Sequence, residues 1–260
     1  MSASLGSEPT WAVRRSRYCG VNSSPNVTDC GVMHGCQQRN GRRLKMSAPT
    51  NNRYWEREGA TKTFTHPINL EWLAGNLAPE CRILDYGCGY GRVMALLYKE
   101  GYRQLVGVDA SEAMIERART LYPHLSFVQI DPPDVPLPHV SLDAAILFAV
   151  LTCIPGDEDQ QALLKELGRV VRPGGFLYIS DYWIQTDDRS RERYALYDGQ
   201  YSTYGIFDVA EGAAVRHHSR EWIESLLAPW EQMAMTDIKV TTMNGHEAAG
   251  FQWLGRKPSG

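Results

Sequence analysis

The amino-acid sequence predicts an α/β fold: a doubly wound, seven-stranded and mostly parallel sheet with helices on both faces. Three observations predict it. Short apolar runs alternate with stretches of helical periodicity from Arg82 to Ser180, the pattern of repeated βαβ units with right-handed crossovers. The first run passes directly into a turn, Gly87-Cys88-Gly89-Tyr90-Gly91, that opens a helix. Pro79, Gly101 and the run Arg172-Pro173-Gly174-Gly175 then mark the ends of periodic segments.

The elements follow in order. Residues 68–77 place apolar side chains at helical spacing and stop before Pro79. Residues 82–86 are the first strand, and 92–100 a helix that closes at Gly101. Residues 104–109 form the second strand, followed by a helix over 112–121 with Ser111 as its N-cap. Strands three and four cover 125–130 and 142–148; the four prolines between Asp131 and Ser141 leave room for only a short helix there. Residues 160–171 are helical, stopped by Arg172-Pro173-Gly174-Gly175, and 176–180 form the fifth strand. After Tyr182 the rhythm breaks into a polar, Tyr-rich stretch reaching about Val215. A helix over 219–227 and two strands, 238–243 and 251–255, complete the pattern.

At 260 residues the chain suits one α/β domain with a substantial core, expected over 46–260 with a lid or insertion at about 182–217. Residues 1–45 lack periodicity and are expected to be disordered. They hold seven basic side chains against two acids, while the chain as a whole carries -3, so a basic leader precedes an acidic body. Such a leader is either a basic arm, a transit peptide or an extension outside the native protein with Met46 as the natural start. Of the cysteines, Cys19, Cys30 and Cys36 fall in the leader, and Cys81, Cys88 and Cys153 in the body without metal or disulfide spacing. A reducing cytoplasm is the expected setting. No run approaches the length of a membrane span, and no nucleic-acid partner is expected of the acidic body.

Open parallel sheets bind ligands beyond the carboxyl ends of their strands, where the strand order reverses. The glycines after Asp85 let the backbone turn sharply and approach a ligand, and the following helix N-terminus offers amides to a carboxylate. Asp109 ends the second strand, placed for both hydroxyls of a ribose. Asp131 ends the third, near an adenine amino group, with Ile130 and Pro132 as apolar walls. A glycine-rich turn alone suits a dinucleotide equally well. The spacing Gly87-x-Gly89-x-Gly91, two residues after Asp85, departs from the nicotinamide fingerprint G-x-G-x-x-G.

The run from Ile83 to Gly91 resembles the first motif of class I S-adenosylmethionine-dependent methyltransferases, whose fold is Rossmann-like. Gly107-Val108-Asp109-Ala110-Ser111 is similar to the second motif, Ser141-Leu142-Asp143 to the approach to strand four, and Arg172-Pro173-Gly174-Gly175 to the turn before strand five. The resemblance implies an antiparallel hairpin at the sheet edge, which suits the two C-terminal strands. It also implies S-adenosylmethionine as cofactor, with S-adenosylhomocysteine as product. Asp85, Gly87, Cys88, Gly89 and Gly91 would then surround the methionine moiety. Asp109, Ala110 and Ser111 would meet the ribose, Ile130 and Asp131 the adenine, and Phe148, Ala149 and Val150 the sulfonium. Tyr54 matches an aromatic that closes over the methionine end in relatives; packing of a helix on the sheet is the alternative.

For the acceptor, the end of strand four reads Phe148-Ala149-Val150-Leu151, unlike the Asn/Asp-Pro-Pro-aromatic motif of nucleic-acid amino methyltransferases. A small-molecule acceptor is therefore expected. An RNA or protein acceptor, or a binding protein without turnover, are the alternatives. Tyr182, Tyr201, Tyr204 and Arg216 are candidates to contact the acceptor. His217, His218 and His66 are candidate bases because imidazole titrates near neutrality; at most one of the adjacent pair is expected to act, since neighbours point different ways. No third ligand accompanies the pair, so no metal is expected.

Overall fold

The computed structural model describes residues 49–58, 61–210, 212–243 and 245–259. The leader expected over 1–45, with its three cysteines, lies outside the described residues.

Each apolar run of the first half becomes a strand because its alternate side chains bury on opposite faces. In β1 (Arg82–Tyr86), Ile83 packs into one core and Leu84 into the other, and both are fully buried. β2 (Gln104–Asp109), β3 (Ser126–Gln129), β4 (Leu142–Phe148) and β5 (Val171–Tyr182) run parallel to β1. β8 (Glu231–Thr241) and β9 (Glu247–Arg256) form a hairpin, and β9 pairs antiparallel with β5. The sheet order is β3-β2-β1-β4-β5-β9-β8, so the switch in direction of winding falls between β1 and β4.

Helices α3 (Arg92–Lys99) and α4 (Glu112–Leu121) cover one face, together with the short α2 (Leu70–Ala74). On the other face α5 (Asp157–Val170) and α7 (Arg220–Leu227) bury Leu163, Leu167, Ile223 and Leu226 against the sheet. Each such side chain contributes about 1.5–3 kcal/mol relative to exposure.

The structure departs from expectation in three places. β5 begins at Val171, where α5 ends, so the Arg172–Gly175 turn is a bulge at the start of a longer strand and shifts register against β4 between Leu142 and Ala144. α2 spans five residues, capped by Asn69 and closed at Gly75, rather than reaching Leu77. The Tyr-rich stretch is ordered: it holds α6 (Asp188–Leu196) and a hairpin of β6 (Ile206–Asp208) with β7 (Ala214–Arg216). Preceding the sheet, α1 (Pro49–Glu58) lies across α4.

Candidate active site

Beyond β1 the chain turns on hydrogen bonds supplied by β2. The amides of Gly87 and Cys88 both donate to Val108 O, at 2.8 and 3.0 Å, and the Gly89 amide donates to Asp109 Oδ2 at 2.8 Å. Gly87 and Gly89 have φ of 69° and 52°, a region that costs an L-residue about 1–2 kcal/mol. A Cβ at Gly87 would lie 2.6 Å from Val150 Cγ2, and one at Gly89 only 2.3 Å from Phe64 Cε2. These glycines therefore make room for the protein's own side chains, tying the turn to the end of β4 and to the N-terminal segment.

A cavity of about 700 Å³ opens at the carboxyl ends of β1 and β4, the switch point. Tyr54, Asp85, Gly87, Cys88, Gly89, Asp109, Ala110, Ile130, Asp131, Phe148, Ala149 and Val150 all line it. Gly91 and Ser111, expected beside them, do not. Gly91 is the N-cap of α3, and a Cβ there would meet the Phe127 ring at 2.7 Å. Ser111 is buried as the N-cap of α4, with its Oγ accepting from Met114 N; its own amide donates to Asp109 Oδ1 at 2.9 Å. Asp109 thus accepts the backbone amides of Gly89, Ser111 and Ala110 at the cavity wall.

Asp85 sits at the cavity floor, buried, and its Oδ2 has no hydrogen-bond partner. Burial pushes its carboxyl up to about 8, against the pull of the Arg92 guanidinium and with the help of Asp109. Arg92, the residue after Gly91, was not foreseen. Its Nη2 donates to His66 O at 2.6 Å, while its buried Nε has no partner. Cys88 is buried and its thiol is raised well above the ordinary range by burial, so it is inert filling. At the end of β4, Ala149 is held at φ 55° by its amide's bond to Ser180 O, local strain placed on the cavity wall.

The three histidines differ. His66 lines the cavity, with Nδ1 3.1 Å from Ser180 Oγ and a buried Nε2 without a partner. His217 lines it too, with Nδ1 2.6 Å from the Tyr194 hydroxyl. That hydroxyl accepts from Gln185 N, so its single proton goes to His217 Nδ1 and the ring carries its own proton on Nε2. The Tyr182 ring separates the two, 4.6 Å from His66 and 5.4 Å from His217 between centroids. His218 points away from this cavity. Gln160, with Trp222 Nε1 on its Oε1, donates its Nε2 protons to Leu151 O and Ile154 O at 3.0 and 2.7 Å, and that nitrogen lies 3.0 Å from His218 Nε2; His218 Nδ1 lies 3.2 Å from Tyr182 O. The ring is fully buried among core groups away from the cavity, which corrects its candidacy as a base. Burial lowers all three rings to about 3.

Three further expectations are corrected. Arg216 is buried behind the cavity, stacked on Trp222 and bonded to Pro155 O and to Asp157. Tyr201 bonds Asp208 outside the cavity, and Tyr204 is exposed with its ring against Tyr194.

Further wall residues not singled out in the sequence come from α1 and from within the expected lid, residues 185–215. Asn51 Nδ2 donates to Cys153 O and to Ala214 O, both at 2.7 Å, and its Oδ1 accepts from Ala214 N at 3.0 Å. Glu56 accepts from the Glu112 and Ala113 amides at the start of α4. Tyr54 lines the cavity while its ring packs edge-on to Trp55; Trp55 in turn meets Phe64, which stacks on Tyr90. Gln185, Arg193 and Phe207 line the opposite side. Among the described residues no group of three His, Cys, Asp or Glu side chains could hold a metal ion, and no helix is long and apolar enough to cross a membrane.

Residues 84–179 match a family model described as a methyltransferase domain. The chain is 36% identical over 149 residues to the eEF1A lysine and N-terminal methyltransferase of Mus musculus, covering 49% of this chain and 21% of that protein; it thus spans about a fifth of that relative's length. It is 28% identical over 196 residues to the ubiquinone biosynthesis O-methyltransferase of Xanthomonas campestris pv. campestris (strain B100), covering 72% of this chain and 77% of that protein. In fold it is similar to a SAM-dependent methyltransferase from Methanosarcina mazei, with TM-score 0.69, 22% identity and coverage of 73% of this chain and 98% of that one. It is also similar to geranyl diphosphate C-methyltransferase from Streptomyces coelicolor A3(2), with TM-score 0.53, 15% identity and coverage of 72% and 77%.

Proposed function

As this chain belongs to the class I S-adenosylmethionine-dependent methyltransferases, we propose that it transfers a methyl group from that cofactor to a small-molecule acceptor. The observation that carries the acceptor class is the wall of the cavity. Beyond the glycine turn it is built from the chain's own Tyr54, His66, Tyr182, Arg193, Phe207 and His217, which suits a compact molecule better than a protein side chain on a broad surface.

The residues present fit the cofactor. Asp85 Oδ2 and Arg92 Nε are buried beside the turn without partners, ready for a ligand with cationic and carboxylate groups. Asp109, oriented by its backbone amides, lines the cavity where a ribose diol would lie, and Ile130 and Asp131 form the far end. When bound, S-adenosylmethionine supplies an activated methyl group on a sulfonium. The chain's part is then to align the acceptor, exclude water and, where needed, receive a proton. Tyr54, Phe64 and the 185–215 segment cover the cavity. His217 presents an Nε2–H and so orients an acceptor as a donor. His66 is the better placed base: in the tautomer whose Nδ1 donates to Ser180 Oγ, the unpartnered Nε2 carries a lone pair. A ring lowered to about 3 is unprotonated at neutral pH yet weakly basic, which suits an acceptor that is already nucleophilic.

The identity to the mouse enzyme favours a second reading, a protein acceptor. The three described cysteines are all free thiols, which supports a cytoplasmic setting. The test is incubation of the full chain with labelled S-adenosylmethionine and either a small-metabolite pool or a protein extract, with label traced by mass spectrometry. Label in small molecules supports the proposal; label only in protein overturns it. Calorimetry should show S-adenosylmethionine binding and none for NAD.

A further inference from the structure

Resting on the small-molecule reading, we propose that the acceptor carries a carboxylate, held by the Arg193 guanidinium together with His217 Nε2–H.

Arg193 projects from α6 into the acceptor side of the cavity, half-buried, its guanidinium 3.8 Å above the Phe207 ring. Among the described residues no carboxylate lies within 4.0 Å of its nitrogens. Its Nε is buried with no partner, and its contacts are a 3.4 Å approach of Nη2 to Ser190 Oγ and the Tyr194 hydroxyl. A cation taken out of water needs a counter-charge, and a guanidinium stacked on a ring by one face keeps its N–H edge for a planar, two-oxygen partner.

The charged neighbours do not meet that need. Asp187 spends its Oδ1 capping α6 at Ser190 N, and Arg189 adds a second positive charge on the same wall. Glu247 and His246 line the cavity from the β8–β9 turn but make no ion pair with Arg193.

His217 belongs to the same cluster. It meets Phe207 at 5.1 Å between centroids and shares the Tyr194 hydroxyl, which fixes its free proton on Nε2. One guanidinium edge and one neutral N–H donor, with Arg189 and Asp187 offsetting each other, make a site for a monoanion rather than a dianionic phosphate. Aromatic walls at Phe207, Tyr182 and Tyr54 suit an apolar body on that carboxylate.

Benzoate and its neutral counterpart benzamide serve as probes, titrated by calorimetry into the full chain with S-adenosylhomocysteine. The proposal expects benzoate to bind at least tenfold more tightly than benzamide. Arg193→Gln should erase that preference while leaving S-adenosylhomocysteine affinity within twofold, and Arg193→Lys should keep part of it. Equal binding of the two probes, or a preference surviving in Arg193→Gln, would overturn it. If Arg193→Gln does not fold, as judged by circular dichroism, the wild-type comparison with Arg193→Lys decides. Failure to bind S-adenosylhomocysteine would strike the methyl-transfer reading instead, and the two probes can then be compared on the chain alone.

Discussion

Lowering the pH from 6.5 to about 5 should destabilise this protein by about 1 kcal/mol. His66, His217 and His218 are held neutral in the fold, each lowered from 6.5 to about 3 chiefly by burial. Below 6.5 the unfolded chain takes up a proton at each that the folded chain refuses, so these groups make stability rise with pH from about 3 to 6.5. Buried carboxyls act in the opposite sense, Asp109 among them, raised by burial. Burial raises Asp85 from 3.8 to about 8 and Asp181 from 3.8 to about 7, so above 3.8 the folded chain keeps two protons that the unfolded chain has released. Near pH 5 the three rings, Asp85 and Asp181 balance at three protons against two, a net difference of one worth about 1.4 kcal/mol per pH unit, and the difference closes to zero near 6.5 as the unfolded chain releases its imidazole protons. Above 6.5 only the carboxyls remain, and stability falls through 7 and 8. Urea denaturation followed by tryptophan fluorescence should therefore give a maximum near pH 6.5 at constant m. His218→Gln removes one of the three and should flatten the acid limb to a slope near zero. A stability that is level or falls between about pH 5 and 6.5 in the parent chain would refute the neutral burial of these rings.

Gly89→Ala should weaken S-adenosylhomocysteine binding at least tenfold, because φ 52° and the Phe64 ring both oppose a Cβ. Gly168→Ala, in α5 with nothing within 4 Å of the new methyl, should instead stabilise by about 0.5–1 kcal/mol in denaturation. Asp85 is neutral in the free chain below about 8, so binding of a cationic cofactor should tighten as pH rises between about 6 and 7, and Asp85→Asn should abolish that trend in calorimetry. Asn51→Ala removes a clasp of three hydrogen bonds, each worth about 1 kcal/mol net. It should lower the thermal midpoint and weaken cofactor binding, while far-ultraviolet circular dichroism stays unchanged.

The parallel half of the fold was legible because β1 to β5 are apolar runs whose burial needs no distant partner to recognise. The glycine turn was legible for the same local reason, although what crowds Gly89 is Phe64 and not a ligand. α6 was invisible because it buries only Ser190 and Tyr194, too little for a helical period to show. The strands of the β6–β7 hairpin are three residues each, below the length at which alternation can be read. Arg216 and His218 looked functional because charge and imidazole stand out in sequence; their partners Asp157, Trp222 and Gln160 lie on other helices and are brought in only by tertiary packing. Arg92 and Arg193 were passed over because nothing near them in the chain marks a buried, partly unpartnered guanidinium.

The Asn51 clasp has a kinetic consequence. One side chain joins the first helix to the 3₁₀ turn after β4 and to the hairpin that walls the acceptor side. The cofactor side and the proposed acceptor side of the cavity are therefore tied through one side chain, so loosening it should loosen both walls together. If that coupling governs release, Asn51→Ala should speed the exchange of cofactor and of product alike.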